Sequence, residues 1–120
     1  MVSQATSLSG NGVTDWLIQR VTAYVLAIYT VFIVGYLLIM SPDYAAWTAL
    51  FDQTWMQVAS LVALLCTCAH AWVGMWTIGT DYIREHYFGS GADSIRLIYQ
   101  VFVVLALLCY LIWGVQILWG

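Results

Sequence analysis

Residues 61–82, LVALLCTCAHAWVGMWTIGTDY, decide how the chain is read. The run is long and apolar enough to cross a bilayer, which takes about 20 residues of helix. It nevertheless carries a histidine well inside and ends in Asp-Tyr. At helical spacing Ala63, Thr67, His70, Gly74, Thr77 and Asp81 recur at steps of three and four, so they share one face. The rest of the helix is Leu, Val, Ile, Met and Trp. Lipid cannot satisfy a polar stripe, so that face is expected to look into a bundle, a cofactor or water.

Composition extends the reading outward. Of 120 residues, 63% are hydrophobic and 8% charged, whereas a soluble domain carries roughly a quarter charged residues. An integral membrane protein is therefore expected, all-α, with three transmembrane helices and a single membrane domain over residues 1–120. The apolar runs put the spans at 16–40, 55–80 and 95–119. A net charge of −3 from so few ionisable groups builds no steering field. With three arginines and no lysine there is no basic patch, so nucleic acid is not an expected partner.

Residues 1–14, MVSQATSLSGNGVT, lack the basic start and apolar core of a signal peptide and read as a short extramembrane arm. Thr14 and Asp15 are candidate N-caps for the first span. Ser41-Pro42-Asp43 ends that span with the chain's one proline. Residues 41–54 read as a loop, with Trp47 and Trp55 as half of an aromatic belt. Gly89-Ser90-Gly91 is a flexible turn, and Asp93 and Ser94 can cap the third span. Arg20, Arg84 and Arg96 all fall on one side of a three-span topology. The positive-inside rule then puts the N-terminus in the cytoplasm and Gly120 outside. Cys66, Cys68 and Cys109 sit in apolar runs. The first two lie about 200° apart around a helix, which suits neither a disulfide nor a shared metal.

His70 is about 15 Å from the helix exit at 1.5 Å per residue, near mid-bilayer. It is either a histidine hydrogen-bonded to a neighbouring helix or an axial ligand of a haem iron. Gly74, one turn away, would let a flat macrocycle approach the backbone, and Arg20 at the membrane boundary could meet haem propionates. One histidine supplies one ligand, so a second would come from another chain. Asp81 and Tyr82, with Arg84, bring a carboxylate, a phenol and a cation into one turn. Such groups serve as interfacial anchors or as donors to the carbonyl oxygens of a lipid-soluble quinone. His86 reads as a surface residue.

The runs NGVTDWLIQRVTAYVLAIYTVFIVGY and LLCTCAHAWVGMWTIGTDYI, with a closing apolar span ending in WG, resemble the hydrophobic membrane-anchor subunits of bacterial succinate dehydrogenases. The most specific part is His70-Ala71-Trp72, Gly74-Met75-Trp76 and Thr80-Asp81-Tyr82. The resemblance implies, in the bacterial inner membrane, half of a heterodimeric six-helix anchor bundle, whose other half is a second anchor subunit of three helices. It implies that an iron–sulfur subunit and a flavoprotein subunit dock on the cytoplasmic side of that bundle. It further implies haem b, shared between the two anchor subunits, with His70 as one axial ligand and Arg20 near a propionate. Ubiquinone would hydrogen-bond to Tyr82 with Asp81 beside it, and electrons from succinate would pass to the quinone pool, this chain having no succinate site. Two departures are Thr14, where members often carry a histidine, and a longer second loop, REHYFGSGADS.

Alternatives from the residues are an anchor of a menaquinone-linked fumarate reductase, or a structural scaffold in which His70 and Asp81 join helices.

Overall fold

The computed structural model describes residues 12–120, and the expected arm over residues 1–11 lies outside them. Five helices follow in order, α1 (Gly12–Met40), α2 (Tyr44–Phe51), α3 (Thr54–Tyr82), α4 (Glu85–Phe88) and α5 (Ala92–Trp119). Three helices are long and apolar enough to cross a membrane, starting at Gly12, Thr54 and Glu85, the last running through α4 into α5. The expectation of an all-α integral membrane protein with three transmembrane helices is met.

The caps differ from expectation. The first helix already starts at Gly12, so Thr14 and Asp15 lie inside its first turn instead of capping it. Asp15 there complements the positive end of the helix dipole. Gly91, not Asp93 or Ser94, is the N-cap of α5, because the preceding 3₁₀ turn Gly89–Gly91 leads straight into the helix. Gly89 has φ +68°, a conformation that a side chain would strain. Within the expected first loop, Asp43 builds a helix: its Oδ1 accepts the Ala46 N–H at 2.8 Å and starts α2.

The third helix α3 lies between α1 and α5 and packs on both, while α1 and α5 hardly meet. The sequence explains why α3 is central. It has two faces of small or polar residues: Ser60, Ala63, His70 and Gly74 toward α1, and Cys68 and Gly79 toward α5. Close approach on both sides follows, as small residues permit between membrane helices. On the α5 side, Tyr99 packs on Gly79 and Gly114 packs on Leu64. The Tyr99 hydroxyl donates to the Met75 carbonyl at 2.9 Å, and Gln57 Nε2 donates to the Leu118 carbonyl at 3.0 Å.

At the end away from the arginines, Phe32, Tyr36, Trp47, Phe51 and Trp55 form a chain of ring contacts with centroids 4.8–6.4 Å apart. Trp47 and Trp55, expected in an aromatic belt, thus also tie α2 and the start of α3 to the end of α1. The core is thin. The buried apolar residues are Leu50, Met56, Ala63, Val73 and Ala92, while long rows such as Ile28, Leu38, Phe102 and Ile112 stand exposed. Three helices side by side cannot enclose one another, so these faces are left to lipid or to another protein surface.

Candidate functional site

The polar stripe of α3 meets α1. His70 Nδ1 lies 3.0 Å from Thr22 Oγ1, the Tyr29 hydroxyl lies 2.7 Å from Ser60 Oγ, and Gly74 faces Gln19. Thr67 and Thr77 satisfy their hydroxyls on their own helix, at Ala63 O (2.9 Å) and Val73 O (3.0 Å). Gly74 therefore does not open onto free space for a macrocycle, as the sequence suggested. A Cβ added there would sit 3.7 Å from Gln19 Nε2, an ordinary contact.

His70 is half-buried at the edge of this interface. Its ring borders a shallow groove of about 460 Å³ lined by Ala23, Leu26, Ala27, Thr30, Val31 and His70 itself. Nδ1 is engaged by Thr22, whereas Nε2 makes no hydrogen bond among the described residues. Twelve residues separate His70 from the end of α3 at Tyr82, about 18 Å along the axis. No group of three or more His, Cys, Asp or Glu side chains that could hold a metal ion occurs among the described residues. His70 could hold iron only as one ligand of a prosthetic group completed elsewhere. The residues present fit such a group: a nitrogen without a hydrogen bond among the described residues, a groove lined in part by two alanines, and an apolar depth.

Arg20 lies on the groove face of α1, in register with Ala23, Ala27 and Thr30 at steps of three and four. Its guanidinium carbon sits 5.2 Å from the centre of the Trp16 ring. The other arginines are committed. Arg96 pairs with Asp93 at 2.9 Å and donates to Ile83 O at 2.6 Å, and Arg84 Nε contacts Thr80 O at 3.5 Å. Among the described residues, no carbonyl or carboxylate holds Arg20.

Asp81 and Tyr82 close α3, and both are exposed, Tyr82 at 67%. No hydrogen bond or ion pair joins Asp81, Tyr82 and Arg84 among the described residues. Successive residues point about 100° apart on a helix, so adjacency in sequence separates the carboxylate from the phenol. Among the described residues, no hydrogen bond within that turn orients the phenol. His86, expected on the surface, is exposed and packs edge-on against Tyr87 at 5.0 Å. The three cysteines are free thiols.

Sequence reasoning missed Thr22, Gln19 and Arg96. A signal existed for the first two: Asp15, Gln19, Thr22 and Tyr29 form a second polar stripe, on α1. Two of its members, Asp15 and Thr22, are buried at 7% exposure each. Two polar stripes on antiparallel neighbours are expected to face each other. A second groove of about 420 Å³, lined by Val25, Ile28, Phe32, Trp55 and Val62 among others, offers almost no polar group and suits an acyl chain.

The fold and site define a polytopic helical membrane subunit, unfinished by itself, with an imidazole at mid-depth and polar groups gathered at its arginine end. The chain matches no family model. It is 38% identical over 112 residues, 92% of this chain and 91% of the relative, to the succinate dehydrogenase hydrophobic membrane anchor subunit of Coxiella burnetii. It is 25% identical over 104 residues, 85% of this chain and 80% of the relative, to the subunit of the same name from Rickettsia conorii. The chain belongs to the family of succinate dehydrogenase hydrophobic membrane anchor subunits.

Proposed function

We propose that this chain anchors a succinate dehydrogenase to the bacterial inner membrane, holds a b-type haem through His70, and contributes Tyr82 to a ubiquinone site. Anchoring presupposes other subunits, which we take to be a second anchor protein, an iron–sulfur protein and a flavoprotein. The exposed apolar faces of α1 and α5 leave room for the helices of that second anchor protein. Three arginines at one end, none at the other, support a cytoplasmic N-terminus and an external C-terminus.

One observation carries the haem reading: His70 is fixed through Nδ1 with Nε2 left for a ligand beside a groove lined in part by two alanines. The bound haem would supply a one-electron iron centre within the membrane. The chain's part is to hold the imidazole still and to present Arg20 to the propionates. It also excludes water with Leu26 and Val31. At the arginine end, the Tyr82 phenol donates a hydrogen bond to one quinone carbonyl. The quinone takes up two electrons, drawn from succinate through the docked subunits, and two protons to become quinol, with Asp81 one residue from the phenol.

The scaffold reading draws on the same Thr22–His70 contact, which joins α1 to α3. A reduced-minus-oxidised absorbance spectrum of the purified complex separates the two, with His70→Ala as the variant. The haem reading expects a b-type spectrum in the wild type and lost occupancy or an altered spectrum in the variant. A spectrum and haem potential unchanged by His70→Ala overturn it.

A further inference from the structure

We infer that Thr22 is a positioning residue for His70: its hydroxyl fixes the imidazole tautomer with the proton on Nδ1 and so turns a lone pair on Nε2 toward the groove. The inference rests on the haem reading above and extends it to a second side chain.

The proton count decides the direction of the hydrogen bond. A threonine hydroxyl has one hydrogen and two acceptor lone pairs. Thr22 Oγ1 lies 2.6 Å from the Ile18 carbonyl oxygen and 3.3 Å from that of Gln19, and a carbonyl can only accept. The 2.6 Å separation is at the short end for O–H···O, so the hydroxyl hydrogen is committed to Ile18. Toward His70 Nδ1, at 3.0 Å, Oγ1 is then the acceptor and Nδ1 carries the proton. A neutral imidazole protonated at Nδ1 has its lone pair on Nε2, the only form in which that nitrogen can bind a metal. Thr22 is buried, with 7% exposure, so water does not compete for its oxygen.

Two consequences follow for a bound iron. The Nδ1–H···Oγ1 bond holds the ring plane relative to α1. It also shifts electron density toward Nε2 and strengthens it as a donor. A stronger donor favours the ferric state and lowers the reduction potential. Loss of such an outer partner typically loosens metal binding by about 10–100-fold.

The test is Thr22→Val in the purified whole complex, with Thr22→Ser as the conservative partner. Valine keeps the branched shape and removes the acceptor; serine keeps the acceptor. The readouts are the haem midpoint potential by optical titration, the electron paramagnetic resonance signal of the oxidised haem, and haem retention on detergent washing. Thr22→Val should raise the potential, shift the low-spin signal and lose haem more readily, and Thr22→Ser should restore all three. If the valine variant does not assemble, because its methyl replaces the hydroxyl against the His70 ring, Thr22→Ala carries the same expectation with a small void in place of that methyl. A wild-type complex with haem whose potential and signal are unmoved in the valine or alanine variant overturns this inference alone. A wild-type complex without haem overturns the ligation reading, and this inference with it.

Discussion

The guanidinium of Arg96 donates a 2.6 Å hydrogen bond to the carbonyl oxygen of Ile83, the residue after Tyr82. Ile83 is also the C-cap of α3, with its N–H on the Gly79 carbonyl. The second turn of α5 therefore holds the backbone that follows Tyr82. Arg96 also pairs with Asp93, but that carboxylate is 92% exposed, so the pair adds little. Arg96→Met keeps the alkyl stem and removes the donor. We expect a loss on the order of 1–2 kcal/mol, below the full value of a charged hydrogen bond because Arg96 is partly exposed. Thermal unfolding of the solubilised complex should fall, and the quinone KM should rise several-fold. A lower unfolding temperature with unchanged quinone KM would confine Arg96 to a structural role.

Tyr82→Phe isolates the hydroxyl, since the ring keeps its place at the membrane edge. One lost hydrogen bond to a neutral donor costs about 0.5–1.5 kcal/mol, roughly two- to tenfold in quinone turnover or affinity. Succinate oxidation with a soluble artificial acceptor should be unaffected. Wild-type quinone kinetics in the variant would make Tyr82 an interfacial anchor only.

The two glycines of the second half of α3 should behave oppositely. A Cβ at Gly79 would fall 3.0 Å from the Tyr99 ring, which is pinned through its hydroxyl to Met75 O. Gly79→Ala should therefore destabilise the α3–α5 contact by about 1–3 kcal/mol. Gly74→Ala meets Gln19 at 3.7 Å and should be tolerated. Complex yield and thermal stability of the two variants, compared side by side, check this; equal tolerance would contradict the packing described.

The Tyr29–Ser60 hydrogen bond joins α1 to α3 toward the end away from the arginines. A double-mutant cycle with Tyr29→Phe and Ser60→Ala should give a coupling of about 0.6 kcal/mol, the usual scale for polar contacts between membrane helices. Additive effects of the two substitutions would mean that the contact contributes nothing measurable.

Orientation is checked by reporter fusions. A fusion after Asp43 should report the external side, as should one after Gly120, while one within 84–91 should report the cytoplasm. A cytoplasmic signal from the Asp43 fusion would reverse the topology.

Hydropathy and turn chemistry are local, and so the sequence alone determined the number of spanning helices, the break at Ser41-Pro42-Asp43 and the apolar depth at which His70 sits, though not the short helix α2 inside the expected loop. Periodicity likewise put Ala63, His70 and Gly74 on one face. What that face meets is not local. Thr22 reaches His70 across 48 residues of chain, and only the packing of α1 on α3 brings them together. The same packing decided that Gly74 borders Gln19, that Gly79 is the closely packed glycine, and that Arg96 caps the helix bearing Tyr82. A helical repeat specifies which side chains point the same way, whereas their partners depend on which neighbour the small residues admit and in what register. The proposed haem and quinone contacts lie one level further out, because three helices in a row leave open faces that the chain itself does not cover.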